Sequence, residues 1–300
     1  MENKRRFTFA DILLLTLAIL PLVAGIVLQV LTKDPAGDIT ITGARVFFTV
    51  KMPLQDCPIT ESQINSWLVM LTIFFLCLFF THGLKTKPDK KRQLAAEWIV
   101  EKCTSLVKTN MGEYFLGFAP FIAAILALSV FSSLLSLLGL FAPTGDLNVV
   151  GGWALAVFIL ITYYKMKCGP LYYLKGFTEP IVVLTPFNII SEVATPVSMT
   201  FRHYGNVLSG TAISVLVAAA LQGLSNLVLG WLPGVLGEIP FLQIGLPAVL
   251  SVYFDVFSSC IQAFIFAMLT MLYVAGAFPM EDYFARRRKK EEKKKLKSEV

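Results

Sequence analysis

Apolar stretches alternate with short polar and basic segments along the whole chain. Six of these stretches are of the size that crosses a bilayer as a helix, roughly 20 residues. They comprise Phe9–Leu31, Trp67–Thr81, Tyr114–Leu140, Gly151–Tyr164, Pro186–Leu221 and Phe241–Phe278. The pattern predicts an all-α polytopic membrane protein whose last two segments form a long helical hairpin, with its turn around Trp231–Gly234.

Two polar segments have a periodicity of their own. Between Gln93 and Asn110, apolar and charged residues alternate at helical spacing. This predicts an amphipathic helix, which lies either at the inner membrane interface or in solvent as a linker. The stretch Thr32–Ser66 is predicted to lie outside the membrane, and its runs starting at Asp38 and Val46 favour a short β-hairpin.

Composition agrees with a membrane protein and excludes a soluble domain. Hydrophobic residues make up 56% of the chain and charged residues only 15%, and the mean hydropathy is +0.69. The net charge of +6 is pooled in clusters between the apolar stretches. These clusters are Lys4–Arg6, Lys85–Arg92, Lys165–Lys175 and Arg286–Lys297. By the positive-inside rule they predict that both termini are cytoplasmic, and they are better explained this way than as nucleic-acid contacts.

The same pattern divides the chain into four parts. Residues 1–66 hold the first membrane segment and the external loop, and residues 67–178 hold three membrane helices with the interfacial helix. Residues 179–280 form the predicted hairpin, and residues 281–300 form a basic cytoplasmic tail.

One arginine, Arg202, lies deep inside the fifth apolar segment, within Pro196–Gly210. A guanidinium near the bilayer centre costs about 3 kcal/mol on insertion scales, so it needs a partner or a water-filled cavity. Intramembrane charges are therefore functional candidates, and Arg202 is the foremost one in this chain.

Polar residues on the two long helices recur at steps of three, four or seven, which places them along one face of each helix. On the first helix they are Glu192, Thr195, Arg202, Asn206 and Ser209. On the second helix they are Ser251, Asp255, Ser259, Gln262 and Tyr273. A single polar residue in a membrane helix is commonly a packing contact, whereas two such stripes facing each other indicate an ion path.

The hairpin turn predicts which residues face each other, because facing residue numbers should sum to about 464. Arg202 is then level with Gln262, Asp255 lies beside Ser209, and Glu192 lies toward the cytoplasmic end. This places one carboxylate on each side of a central cation, which suits two offset half-paths. A fixed cation between the halves opposes a direct leak, and arginine keeps its charge where a buried lysine can lose it.

Two segments identify a family resemblance. The segment Pro196–Asn206 followed by Ser209 and Gly210, and the segment Ile261–Tyr273, resemble subunit a of F-type ATP synthases, particularly bacterial ones. The resemblance covers Phe115–Phe278 and implies a non-catalytic stator subunit in the bacterial plasma (inner) membrane. It implies that H+ or Na+ flow is coupled to rotation of a ring of small carboxylate-bearing hairpin subunits, with a peripheral-stalk subunit b as a further partner.

The resemblance also implies roles for individual residues. Arg202 matches the essential arginine that faces the ring, and Gln262 matches the glutamine across from it. Asn206 matches a polar residue one turn beyond the arginine. Asp255 falls where relatives carry a histidine or acid in the external half-channel, and Glu192 where many carry an acid near the cytoplasmic one.

Two positions depart from the family pattern. Thr211 stands where many relatives have a glutamate, so the external path is expected to depend on Asp255, Ser209 and water, with Ser259 as a further polar group. His203 replaces a common aliphatic residue, and packing between helices is favoured over a proton relay at this position.

The remaining chemistry is limited. The spacing of the five cysteines and two histidines predicts no metal site, and no Gly-Lys-Ser/Thr loop is present to bind phosphate, so no cofactor is expected. A self-contained ion-coupled transporter is the competing hypothesis, although no pair of interrupted spans in corresponding halves favours it.

Overall fold

The computed structural model describes residues 9–32, 43–53, 56–86, 91–178, 181–229 and 245–298, and the structural statements below refer to these ranges. Within them, six helices are long and apolar enough to cross a membrane. Their bounds are Phe9–Thr32, Glu61–Thr81, Glu113–Leu138, Leu147–Cys168, Val182–Val228 and Leu246–Ala277. The predicted all-α polytopic membrane class is confirmed.

The helices are numbered along the chain. They are α1 Phe9–Thr32, α2 Glu61–Thr81, α3 Lys91–Met111, α4 Ala119–Leu134, α5 Leu147–Lys165, α6 Pro170–Thr178, α7 Thr185–Leu229, α8 Leu246–Ser251, α9 Ser259–Ala277 and α10 Met280–Ser298. A π-helical segment, Val252–Ser258, joins α8 to α9. Single 3-10 turns cover Glu113–Phe118, Leu135–Leu138, Pro143–Gly145, Met166–Cys168 and Val182–Leu184.

Several helices extend beyond the apolar stretches that predicted them. The second membrane helix begins at Glu61 instead of Trp67, and α5 begins at Leu147 instead of Gly151. A helix start tolerates polar residues because its first N–H groups need acceptors, and Asp146 accepts the Asn148 N–H at 2.9 Å. Hydropathy detects only the apolar centre of each helix. The predicted turn at 231–234 and the start of the last segment at 241–244 lie outside the described residues.

One of the two predicted strands, the run that starts at Val46, is present, and its partner in the structure is a segment that the sequence pattern did not indicate. Strand β1, Val46–Val50, pairs antiparallel with β2, Cys57–Thr60, so that Val50 faces Cys57. The prediction had used the run that starts at Asp38, most of which lies outside the described residues. Strand β2 leads directly into α2, and the Glu61 N–H donates to the Arg45 carbonyl at 2.8 Å.

The core lies where α3, α4, α5 and α9 meet. Its side chains are almost fully buried, among them Val107, Ile122, Val157, Phe266 and Met271. The predicted helix over 93–110 is confirmed as α3, which buries Val107 in this core and leaves Trp98 exposed. Its position at the membrane surface stays a prediction. The core thus forms a rigid support on which the long α7 helix and the π segment lie.

Candidate functional site

The register between α7 and the returning helix agrees with the prediction. The Ser258 hydroxyl donates a hydrogen bond to Asn206 Oδ1 at 2.9 Å, and these residue numbers sum to 464. One turn further, Gly210 lies against Phe254, a pair with the same sum. A Cβ added to Gly210 would lie only 3.1 Å from the Phe254 Cβ, so the glycine allows the two helices to approach closely.

Asp255 lies in the middle of the π-helical segment, which the sequence pattern did not predict. The Ser259 hydroxyl donates to the Phe254 carbonyl, five residues earlier, at 3.1 Å. A π segment turns more slowly than an α-helix, so it changes the direction of side chains along the predicted stripe. Ser251, which precedes the segment, does not join Asp255 and Ser259 at the cavity described next.

Asp255 borders a cavity of 490 Å³, here called the Asp255 cavity. Its walls come from α7, the π segment, the end of α4 and the chain that links α1 to α2. The polar side chains that line it are Gln29, Arg45, Glu61, Ser133, Ser136, Tyr204, Asn206, Thr211, Asp255 and Ser259. A cavity of this volume with this many hydroxyl, amide and carboxylate groups can hold water.

A second polar region, the Glu192 cavity, lies toward the start of α7. It consists of two spaces of 460 and 220 Å³ that share Lys165, Glu192, Thr195, Gly276 and Ala277 as lining residues. Tyr172, Tyr173, Asn188, Ser191 and Tyr273 provide further polar lining.

Glu192 is the acidic group of this second cavity. Lys165 Nζ lies 2.5 Å from Glu192 Oε2, and the Glu192 side chain is only 12% exposed. Its other oxygen, Oε1, is buried and has no hydrogen-bond partner. A half-buried ammonium thus lies directly beside a nearly buried carboxylate.

Arg202 lies on α7 between the two cavities and lines neither of them. Thr195 belongs to one cavity and Asn206 to the other, so Arg202 is about 10 Å and about 6 Å along the helix axis from these residues. The side chain is exposed, and no carboxylate of the described residues forms a salt bridge with it. Its exposed neighbours are apolar, for example Phe201 at 58%.

Besides Arg202, two further predicted site residues line neither cavity. The register predicts Ser209 beside Asp255, but the Ser209 side chain is exposed and its hydroxyl donates to the Asn206 carbonyl at 3.1 Å. Ser209 follows Arg202 by seven residues, so it lies on the same exposed face of α7 as the arginine, and Gly210 is the residue that contacts the π segment. Gln262, predicted level with Arg202, is 6% exposed.

His203 is a core residue. It is 1% exposed, its Nε2 lies 3.3 Å from the Ser129 hydroxyl, and its ring meets Trp153 and Phe266 edge to face. This position agrees with the predicted packing role. It also fixes the rotation of α7, so that the next residue back, Arg202, points away from the core.

The family model described as "ATP synthase A chain" matches residues 63–275, which cover all of α4, α5 and α7. The chain belongs to the ATP synthase subunit a family. The match confirms the resemblance seen in the two motifs. Subunit a belongs to the membrane sector, and catalysis takes place in other subunits of the ATP synthase.

Individual relatives extend the match over most of this subunit a chain. ATP synthase subunit a of Legionella pneumophila is 27% identical over 73% of the chain and 86% of its own length. ATP synthase subunit a 1 of Crocosphaera subtropica is 30% identical over 72% of the chain and 86% of its own length. A sodium-ion-specific subunit a from Propionigenium modestum is 27% identical over 75% of the chain and 76% of its own length.

Several residues at the cavities of this subunit a were not among the sequence candidates. Arg45, Glu61, Ser133 and Ser136 line the Asp255 cavity, and Lys165 pairs with Glu192. The serines could have been found from the sequence, because Ser129, Ser133 and Ser136 recur at steps of four and three in an otherwise apolar segment. No sequence pattern marks Arg45, Glu61 or Lys165, since each lies at the end of a helix or in a loop, where charged residues are common.

Proposed function

We propose that this chain is the stator subunit a of an F-type ATP synthase and that residues 179–280 conduct ions past a rotor ring. The Asp255 and Glu192 cavities are the two offset half-paths, and Arg202 separates them. The observation that carries the proposal is the position of Arg202, an exposed guanidinium without an acidic partner among the described residues, between two polar cavities.

The exposed apolar face around Arg202 is the surface proposed to meet the ring. A ring carboxylate that comes next to the guanidinium is favoured in its ionised form and releases its ion into one half-path. When the ring carries the carboxylate onward into lipid, the charged form is disfavoured, so the group must first take up an ion from the other half-path. Ions therefore cross the membrane only by way of the ring carboxylates, and each crossing is coupled to rotation.

The residues assigned to ion translocation have distinct tasks in this proposal. Asp255 and Ser259 serve the first half-path, Glu192 serves the second, and Asn206 stands next to the arginine with its amide held by Ser258. Gln262 stiffens the hairpin behind Arg202 from its buried position. The full set is Arg202, Asn206, Gln262, Asp255, Glu192, Ser209 and Ser259.

The proposed setting is a bacterial plasma (inner) membrane with both termini cytoplasmic, which the basic clusters support. The partners are the ring of small carboxylate-bearing hairpins, the peripheral-stalk subunit b and membrane lipid. The transported ion is H+ or Na+, and synthesis under an imposed proton gradient, with and without sodium, distinguishes them. Family membership argues against the self-contained transporter, which would conduct ions as an isolated chain in vesicles.

The deciding experiment substitutes Arg202 in the assembled complex, reconstituted into vesicles. Arg202→Ala should abolish gradient-driven ATP synthesis and ATP-driven pumping and should increase passive ion flow, because the barrier between the half-paths is lost. Arg287→Ala is the matched control, since Arg287 is an exposed arginine of α10 that pairs with Glu291 on the same helix. Normal coupled synthesis by assembled Arg202→Ala complexes would falsify the proposal.

A further inference from the structure

The Asp255 cavity has a second carboxylate, Glu61, that no motif pointed to. Glu61 is the first residue of α2, far from Asp255 in sequence, yet both line the same 490 Å³ space. Its side chain is 11% exposed, so it faces the cavity and not the surrounding medium. Among the described lining residues, Glu61 and Asp255 are the two acidic groups.

Arg45 connects Glu61 to the surface of the molecule. Arg45 Nε lies 4.0 Å from Glu61 Oε2, and Arg45 Nη1 donates to the Thr32 carbonyl at 2.8 Å. The arginine therefore bridges the end of α1 and the start of α2. Its side chain is 43% exposed, whereas that of Glu61 is enclosed. The pair thus lies at the boundary between the medium and the cavity.

Glu61 lies in a locally positive environment. It is in the first turn of α2, where the helix dipole attracts a negative charge, and Arg45 adds a nearby positive charge. The 4.0 Å between Arg45 Nε and Glu61 Oε2 is longer than a hydrogen bond, so the ion pair is a loose one. The guanidinium therefore stands beside this carboxylate oxygen without hydrogen-bonding it through Nε.

The opposite wall of the cavity offers hydroxyl and amide groups but no acid. On α7 these are Asn206 and Thr211, and near the end of α4 they are Ser133 and Ser136. Ser136 also approaches the Asp255 carboxylate. A polar route thus extends from Glu61, past the serines, to Asp255.

We propose that Glu61 takes up the ion from the medium and passes it to Asp255, with Arg45 as a positioning residue at the mouth of the cavity. A proton taken from water is held on the Glu61 carboxyl group and then moves through cavity water to Asp255, which leaves Glu61 ionised for the next proton. A sodium ion would be held by the same oxygens and passed on without a bond change. The inference rests on the proposed function and adds the first acceptor of this half-path.

The test uses the assembled complex in vesicles and compares Glu61→Gln with wild type. We expect gradient-driven synthesis to slow about a hundredfold, the lower end of the range by which a positioned proton-transfer group changes a rate. Asp56→Asn is the matched control, because Asp56 is an exposed acid between β1 and β2, five residues before Glu61, and does not line the cavity. It should leave the rate unchanged.

Restoring the acid separates transfer from packing. Glu61→Asp should recover most of the rate, and Thr211→Glu added to Glu61→Gln should recover part of it, because residue 211 lines the same cavity from α7. A purely structural role predicts the opposite, since a new acid on another wall cannot replace a lost packing contact. A wild-type rate for Glu61→Gln, or a slow rate that neither acid improves, overturns the inference.

A second variant covers the case in which Glu61→Gln does not assemble. Arg45→Gln keeps the carboxylate and removes a half-exposed cation, so the complex should form in normal amount while synthesis slows; an unchanged rate overturns the inference. The Arg202→Ala experiment keeps the two proposals distinct. If Arg202→Ala loses coupling while Glu61→Gln synthesises ATP at the wild-type rate, only this inference is rejected. If Arg202→Ala complexes remain coupled, the proposed function itself is rejected.

Discussion

The hydroxyl of Ser258 donates a hydrogen bond to the side-chain oxygen of Asn206 at 2.9 Å. This bond ties the long α7 helix to the end of the π segment, one turn from Arg202 and one residue from Ser259. It fixes the register of the hairpin between the two polar cavities. The orientation of the Asn206 amide beside the arginine therefore depends on a single hydroxyl.

Ser258→Ala should weaken both the hairpin and its function. Interhelical hydrogen bonds in membranes contribute about 0.6 kcal/mol on average, so we expect a small fall in thermal stability. Ion-driven synthesis should fall more clearly, because the Asn206 amide can then rotate. Thermal inactivation and synthesis rates of reconstituted complexes measure both effects. Ser251→Ala is the control, since Ser251 has no hydrogen-bond partner in the described part of the chain, and equal behaviour of the two variants would contradict the prediction.

Gly210→Val should separate α7 from the π segment. A Cβ at this position already lies 3.1 Å from the Phe254 Cβ, so the branched side chain forces the helices apart, at a cost of about 1–3 kcal/mol. The measurement is the amount of assembled complex together with its synthesis rate. Gly223→Val on the same helix is the control, because nothing lies within 4 Å of its added Cβ. Phe254→Ala in the Gly210→Val background removes the ring atoms at 3.2 Å but keeps the Phe254 Cβ, so it should restore part of the assembly, and no improvement at all would place the clash elsewhere.

Arg92→Met should destabilise the packing of α1. Arg92 forms a buried ion pair with Asp11, bonds the His82 carbonyl and lies 5.4 Å from the Phe79 ring centroid. Removing one partner of a buried pair leaves the other charge poorly compensated, so we expect a loss on the order of 3 kcal/mol. Detergent-solubilised protein, unfolded by heat or denaturant, provides the measurement.

Two comparisons make the Arg92 prediction specific. Lys108→Met removes the cation of the exposed Lys108–Glu113 pair, which lies at 2.9 Å, and should leave stability unchanged. Adding Asp11→Asn to Arg92→Met should recover part of the loss, because a buried negative charge is then removed. Equal losses in Arg92→Met and Lys108→Met would show that burial of the pair has no effect.

Asp255→Asn should slow ion transfer and still permit assembly. The amide is nearly the size of the carboxylate but cannot take up and release a proton, so we expect synthesis to fall about a hundredfold. Synthesis and pumping across a range of pH provide the measurement. Glu281→Gln, which removes an exposed acid of α10, should behave as wild type. Unchanged transport by Asp255→Asn at every pH would exclude an obligatory relay at this residue.

Much of the fold could be predicted because membrane helices follow simple rules. Long apolar stretches must form helices in lipid, and the rise per residue is constant, so the spans and the sum of 464 followed from residue positions alone. Asn206 with Ser258 and Gly210 with Phe254 obey that sum. The boundaries were less accurate, since Glu61 extends α2 beyond its apolar part.

The sequence could predict which residues of each helix belong to the candidate site, but not which residues of other helices lie next to them. Arg202, Asp255 and Glu192 stood out because a charge in an apolar stretch is conspicuous. Ser209 does not line the Asp255 cavity, because it lies seven residues from Arg202 on the exposed face of α7. No periodicity could show the local change of helix pitch around Asp255.

The sequence by itself determined the membrane class, the six segments, the family and the intramembrane position of Arg202, because these depend on hydropathy and on residues close together in the chain. Only the tertiary structure decided what surrounds each charge. The partnership of Lys165 with Glu192 and the shared cavity of Glu61 and Asp255 arise from elements far apart in sequence. Such contacts depend on how helices pack, and packing is settled by the combined shapes of many side chains instead of by any one segment.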